Sequence, residues 1–209
     1  MSGIPTHPPY VAEPDDGSAQ GVRERKRRET RYRIAETALR LFLAHGFEAT
    51  TLDLIAEEAG ISRRTFFSYF KSKDDILLFW QDAHWRNIHD DLLKTSPELQ
   101  PLDAVRDIML KHMARYSTEE MLGIDALMRS SPTLQSRKQA FYGEQEQVLF
   151  SKLCEVWRQP QRRPALRMVA MVAIGAIRLT TQAWIEQVGR KKPMGELLRE
   201  AFESLKSEL

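Results

Sequence analysis

One cysteine, Cys154, stands in a chain of 209 residues, which excludes an intrachain disulfide and a thiolate metal cluster. Long apolar runs are also missing. The best candidate, residues 166–184, is interrupted by Arg167, Arg178, Thr180, Thr181 and Gln182, so no membrane span is expected. The first residues do not pair a charged start with an apolar run, so no secretory signal is expected and the expected location is cytoplasmic. Period-two alternation bounded by turn dipeptides is absent, which argues against strands. A phosphate-binding glycine loop and a nucleophile elbow are absent too. His84 and His89 are five apart, not the four that aligns two metal ligands on one helix face. No metal, cofactor or enzyme chemistry is therefore expected. The net charge of +2 gives no whole-chain bias towards nucleic acid.

What is there is helical pattern with clear punctuation. Pro5, Pro8, Pro9, Pro14, Gly17 and Gly21 crowd residues 1–21, which reads as a disordered tail. A helix is expected from near Arg25, with Ile34, Ala38, Leu41 and Phe42 as its apolar stripe and Gly46 as its C-terminal cap. Its first half is basic: Arg23, Arg25, Lys26, Arg27, Arg28, Arg31 and Arg33 face only Glu24 and Glu29. Such a block is either a solvated face or an arm that meets phosphate. Further helices are expected at 73–93, 102–116, 119–129, 134–158, 165–188 and from 194 to the end. The fold class is all-α, with about nine helices.

Residues 51–70, TLDLIAEEAGISRRTFFSYF, carry the chemistry. Thr50 or Thr51 can cap a first short helix, with Asp53 placed to suit its dipole. Ala56 is small where two helices cross closely, and Gly60 can take the left-handed turn between them. Ser62 can cap the second helix, whose Phe66 and Phe70 point to a core while Arg63, Arg64, Thr65, Ser68 and Tyr69 point outward. A helix-turn-helix places this second helix in the DNA major groove. Arginine forks there can read guanine or hold phosphate, and the sequence does not separate the two uses.

From residue 27 to residue 78 the chain resembles the N-terminal domain of TetR-family transcriptional regulators. The resemblance rests on LFLAHGFEATTLDLIAEEAGIS, RRTFFSYF and KSKDDILL in that order. It implies a three-helix DNA-binding domain over 22–75 and a larger helical ligand-binding and dimerisation domain over 76–209. It implies a homodimeric regulator, commonly a repressor, that binds double-stranded DNA and a small-molecule effector. Carried over by position, Thr51, Tyr69 and Lys73 are expected at phosphates, and Arg63, Arg64, Thr65 and Ser68 at base edges or backbone. Phe67 departs from the family's usual tyrosine, so its phosphate hydrogen bond is lost while its ring can still pack on sugar or a thymine methyl.

Residues 165–177 are apolar almost all round, and 194–207 carry Leu197, Leu198, Ala201, Phe202 and Leu205 on one stripe. Helices near 165–188 and 194–207 are the expected homodimer surface, or else an ordinary core pair within one protomer. Trp80, His84, Trp85, His89, Met109, Met113, Tyr116, Met121, Met128, Phe141, Tyr142, Phe150 and Trp157 suit either a plain core or a wall for an apolar, fatty-acyl-type effector. The rival readings are an architectural DNA binder without ligand and a helical enzyme built from scattered carboxylates.

Overall fold

The structure, a computed structural model, describes residues 19–115, 118–130, 132–188 and 192–208. Among the described residues it has nine α-helices, one 3-10 turn and no strand. In chain order these are α1 (Ala19–His45), α2 (Leu52–Glu58), α3 (Arg63–Phe67), α4 (Lys73–Leu93), α5 (Pro101–Met113), α6 (Thr118–Ser130), α7 (Pro132–Val156), the turn Pro160–Arg162, α8 (Arg163–Glu186) and α9 (Met194–Glu208). Residues 1–18 of the expected tail, and Tyr116 of the expected effector wall, lie outside the described residues. Ala19, Gln20 and Gly21 belong to α1, which begins before the expected Arg25. The Arg25–Glu29 pair, one helical turn apart at 3.7 Å, suits helix in this early segment.

The chain divides into two units. The first comprises the described residues up to Asn87 together with Leu122–Ser136. Its core gathers Ile34, Ala38 and Phe42 from α1, Ile55 and Ala56 from α2, and Phe66 from α3. Ile76 and Phe79 of α4 and Leu127 and Leu134 of the returning segment join them. Phe70 bridges Phe66 and Phe79, with ring centroids 6.2 and 5.5 Å away. Each of the Ile, Leu and Phe side chains, once buried, stabilises the fold by about 1.5–3 kcal/mol relative to exposure. A Cβ on Gly123 would stand 2.5 Å from Leu43 Cδ2, so glycine lets the returning segment lie close to α1.

The second unit comprises Ile88–Met121 and the residues from Arg137 onward. There α8 packs on α9 and α5. Leu166, Ala170, Ala173, Ile174 and Trp184 of α8 are buried, as are Leu198 and Phe202 of α9. Leu149 and Leu153 of α7, Trp157 just beyond its end and Met109 of α5 are buried as well, and the Trp157 indole donates to Leu99 O at 3.1 Å. Arg178 is exposed, its guanidinium 5.6 Å from the Tyr142 ring centroid. The division between these two units falls inside α4. A helix that continues through a boundary carries no cap there, so nothing in its sequence marks which core each turn serves.

By length and composition alone, Pro160–Glu186 could cross a membrane, a test that the core helix of a soluble protein also passes. Only 33% of its apolar window is buried. Met168, Met171 and Leu179 are exposed on α8, while Leu197, Ala201 and Leu205 are half-buried on α9.

Candidate nucleic-acid interface

Hydrogen bonds at both helix ends hold the helix-turn-helix. The Thr51 hydroxyl oxygen caps α2 by accepting from Leu54 N–H at 3.1 Å. Thr50, the other candidate, is fully buried; its hydroxyl lies 2.8 Å from Gly46 O and closes the loop after α1 instead. Past the end of α2, Gly60 N–H donates to Glu57 O at 2.9 Å and Ile61 N–H to Ala56 O at 3.0 Å. This paired pattern with Gly60 at φ 66° is a Schellman cap, and it needs a residue tolerant of the left-handed region. Gly46 ends α1 in the same left-handed region at φ 85°, but with the single bond of an αL cap, donating to Phe42 O at 2.9 Å.

Ser62 then caps α3, accepting from Thr65 N–H at 3.1 Å. Ser72 caps α4 by accepting from Asp75 N–H, while the Asp75 carboxylate accepts from Lys71 N–H, both at 3.1 Å. This reciprocal capping fixes where α4 begins. The stretch RRTFFSYF is helical only from Arg63 to Phe67; Ser68 is its cap, and Tyr69 lies beyond it.

Arg63, Arg64, Thr65, Phe67 and Ser68 are all exposed, and Phe66 between them is buried. Phe67 is 45% exposed and stands edge-on to Phe66. The two arginines are not equivalent. Arg63 donates to the Asp53 carboxylate of α2 at 2.9 Å, and its guanidinium lies 5.7 Å from the Phe67 ring centroid. Arg64 makes no such bond among the described residues. The Thr65 hydroxyl lies 2.8 Å from Ser62 Oγ, and the Ser68 hydroxyl donates to Thr65 O at 2.6 Å. A hydroxyl has one proton to give, so Ser68 must release that carbonyl before it can bond a phosphate oxygen. Thr51 spends only a lone pair on its cap and keeps its proton for an outside acceptor.

Tyr69 is half-buried against the core of the first unit. Lys73 is committed more than its position suggests. Its ammonium donates to Phe47 O at 2.6 Å and Glu48 O at 3.3 Å, and stands 4.6 Å over the Phe47 ring. Two of its three protons thus tie the start of α4 to the loop before α2, leaving one for an anion. Sequence reasoning did not find this contact, nor Asp53 as the partner of Arg63, because both partners are chosen by the turns. Of the basic run, Arg31 does not project as an arm: its guanidinium lies 4.4 Å from the Phe79 ring centroid and 5.1 Å from that of Phe70. Among the described residues no group of three His, Cys, Asp or Glu is placed to hold a metal.

A family model for bacterial regulatory proteins of the tetR family matches residues 34–78, and a model for the MftR C-terminal domain matches residues 99–209. The chain is 41% identical over 113 residues to the HTH-type transcriptional regulator TcmR of Streptomyces glaucescens, over 52% of this chain and 48% of that protein. It is 32% identical over 130 residues to the putative mycofactocin biosynthesis transcriptional regulator MftR of Mycobacterium tuberculosis, over 60% of this chain and 64% of that protein. The chain thus spans less than two thirds of the length of each. Its fold is similar to that of SmeT, the repressor of the Stenotrophomonas maltophilia multidrug efflux pump SmeDEF. That likeness has a TM-score of 0.59 at 16% identity, over 85% of this chain and 89% of that one.

Proposed function

The chain belongs to the tetR family of bacterial regulatory proteins, and from that premise we propose that it is a ligand-released repressor acting on a pseudo-palindromic operator as a cytoplasmic homodimer. The observation that carries this reading is the exposed face of α3, where Arg63, Arg64, Thr65, Phe67 and Ser68 stand together behind a Schellman turn. Such a face fits the major groove, with the arginine forks at guanine edges or phosphates. Thr51, Tyr69 and Lys73 serve as phosphate contacts around it, and Phe67 packs on sugar or a thymine methyl. These contacts position the helix, and the forks select sequence.

The dimer forms through α8 and α9. Their exposed and half-buried apolar residues, Met168, Met171, Leu179, Leu197 and Leu205, give the four-helix seam its contacts. Two-fold pairing presents two copies of α3 to successive major grooves, and so matches a pseudo-palindrome. The effector is a mostly apolar small molecule of fatty-acyl type, received by the second unit, whose methionine and aromatic walls adapt to such ligands. No catalysis is required of the chain.

Mobility-shift assays on DNA upstream of the protein's own gene test the reading. Sequence-selective binding released by acyl-CoA or another apolar ligand supports it. Salt-sensitive binding without sequence preference would favour an architectural role instead.

A further inference from the structure

A cleft of about 380 Å³ opens in the first unit between the first half of α1 and the body of α4. Phe79 and Leu78 form its apolar floor, and Arg31, Arg86, Lys71 and Tyr69 stand around it. Two of these cations share one ring: the guanidinium of Arg31 lies 4.4 Å from the Phe79 centroid and that of Arg86 lies 5.5 Å from it. Like charges over one ring repel, and neither arginine has a carboxylate within ion-pair distance among the described residues. Of the two carboxylates in the cleft wall, Asp75 is already held by Lys71 N–H at the start of α4. Burial, and after it the charges of Arg86 and Arg27, push the Arg31 guanidinium below the ordinary arginine range despite Asp75 and Asp82. A positive charge held against these costs, with its fork uncommitted, is a site prepared for an anion.

The geometry points to a phosphate-binding cleft, in which the forks of Arg31 and Arg86 clamp a phosphate group with Lys71 and the Tyr69 hydroxyl alongside. Arginine forks match phosphate oxygens bidentately, and each bond is charge-assisted. The volume exceeds that of a lone phosphate, and the ring floor suits an attached flat or apolar body. Tyr69 and Lys71 follow α3 directly in the chain, so occupancy bears on the segment that positions the reading helix. The phosphate belongs either to the DNA backbone or to a free phosphorylated compound.

Inorganic pyrophosphate titrated into the full chain, with sodium chloride matched for ionic strength, is the probe. Wild type is expected to gain in Tm over chloride. Arg86→Gln, at an exposed position, is expected to weaken the apparent affinity about tenfold, the loss of one charge-assisted contact. Arg86→Lys, which keeps the charge and loses the fork, falls between, and Arg31→Gln repeats the loss from the other wall. If the group is a DNA phosphate, Arg86→Gln also weakens DNA binding evenly across sequences and lowers its salt slope by about one. If it is a free compound, the DNA salt slope stays at the wild-type value while the pyrophosphate response is lost. A Tm response to pyrophosphate no greater than to chloride, or one equal in wild type and all three variants, overturns the cleft. A wild type that binds pyrophosphate but no DNA would sink the regulator reading and leave the cleft standing.

Discussion

Gly60 adopts φ 66° with nothing within 4 Å of the place a Cβ would occupy, so a substitution there meets backbone strain and no steric clash. Gly60→Ala is expected to cost about 1–2 kcal/mol, the price of a left-handed L-residue, read as a lower urea midpoint at unchanged slope. Larger loss with a changed slope would mean that the turn does more than reverse the chain. This position was legible in the sequence because the requirement is local. The state of the arginines was not. Arg63 and Arg64 look alike in sequence, yet Arg63 is tethered to Asp53 and Arg64 is not. An exposed pair of this kind is worth under about 1 kcal/mol, whereas a good bidentate guanine contact is worth about 1–3 kcal/mol. DNA should therefore take Arg63 from Asp53 at a small cost. Asp53→Asn is expected to tighten operator binding by up to about fivefold, measured by titration at fixed salt. Weaker binding in that variant would show that Asp53 instead holds Arg63 in its productive pose.

Caps are chemical, and so element ends were largely legible: Gly46, Thr51, Ser62 and Ser72 sit where the side chain or the φ angle has work to do. The exceptions are physical too. Thr50 and Thr51 present the same hydroxyl, and only burial under the α1 loop sends Thr50 inward. The allegiance of the 122–136 segment to the first core was invisible, because Leu127 and Leu134 read as ordinary helical apolar positions until their neighbours are known. Lys73 is the element-scale case with a measurable consequence. Its two carbonyl bonds join the start of α4 to the loop between α1 and α2, so it supports the motif's frame beside its proposed role at a phosphate. Lys73→Met is expected to lower stability by about 1 kcal/mol without DNA present, because part of the value of a charged hydrogen bond is lost to solvent at this half-buried site. Chemical denaturation of the free protein checks this. A lysine serving phosphate alone would leave the free protein's stability unchanged.

At the scale of the whole molecule, pH sensitivity and the proposed association both fall in the second unit. Burial, with the nearby charge of Lys152, lowers the pKa of His89 to about 4. The unfolded chain takes up that proton near the ordinary histidine value of about 6.5, so stability is complete above it and falls as pH drops towards 4. The loss over that window is on the order of 3 kcal/mol, and His89→Gln should flatten the stability curve there. Asp91 is affected in the opposite direction from burial's own pull. Burial raises its pKa, but hydrogen bonds from Lys111 and His112 and their charges lower it on balance, so its contribution is lost only at still lower pH. The proposed dimer puts its seam on α8, where Met168 is 58% and Leu179 is 70% exposed. Because Leu179 makes so little contact within its own protomer, Leu179→Glu should leave the fold's urea midpoint, extrapolated to low protein concentration, near the wild-type value. A buried charge at the seam of a dimer is far more costly, since two copies meet across the two-fold axis. Sedimentation velocity is therefore expected to show the variant shifted to monomer at concentrations where wild type is dimeric. DNA binding should follow the same logic. With the two α3 helices no longer linked, the second half-site is met at bulk rather than effective concentration. Affinity for a full operator should then fall towards that for a single half-site, while half-site affinity itself stays unchanged. A Leu179→Glu protein that remains dimeric and keeps its preference for the full operator would move the interface away from α8.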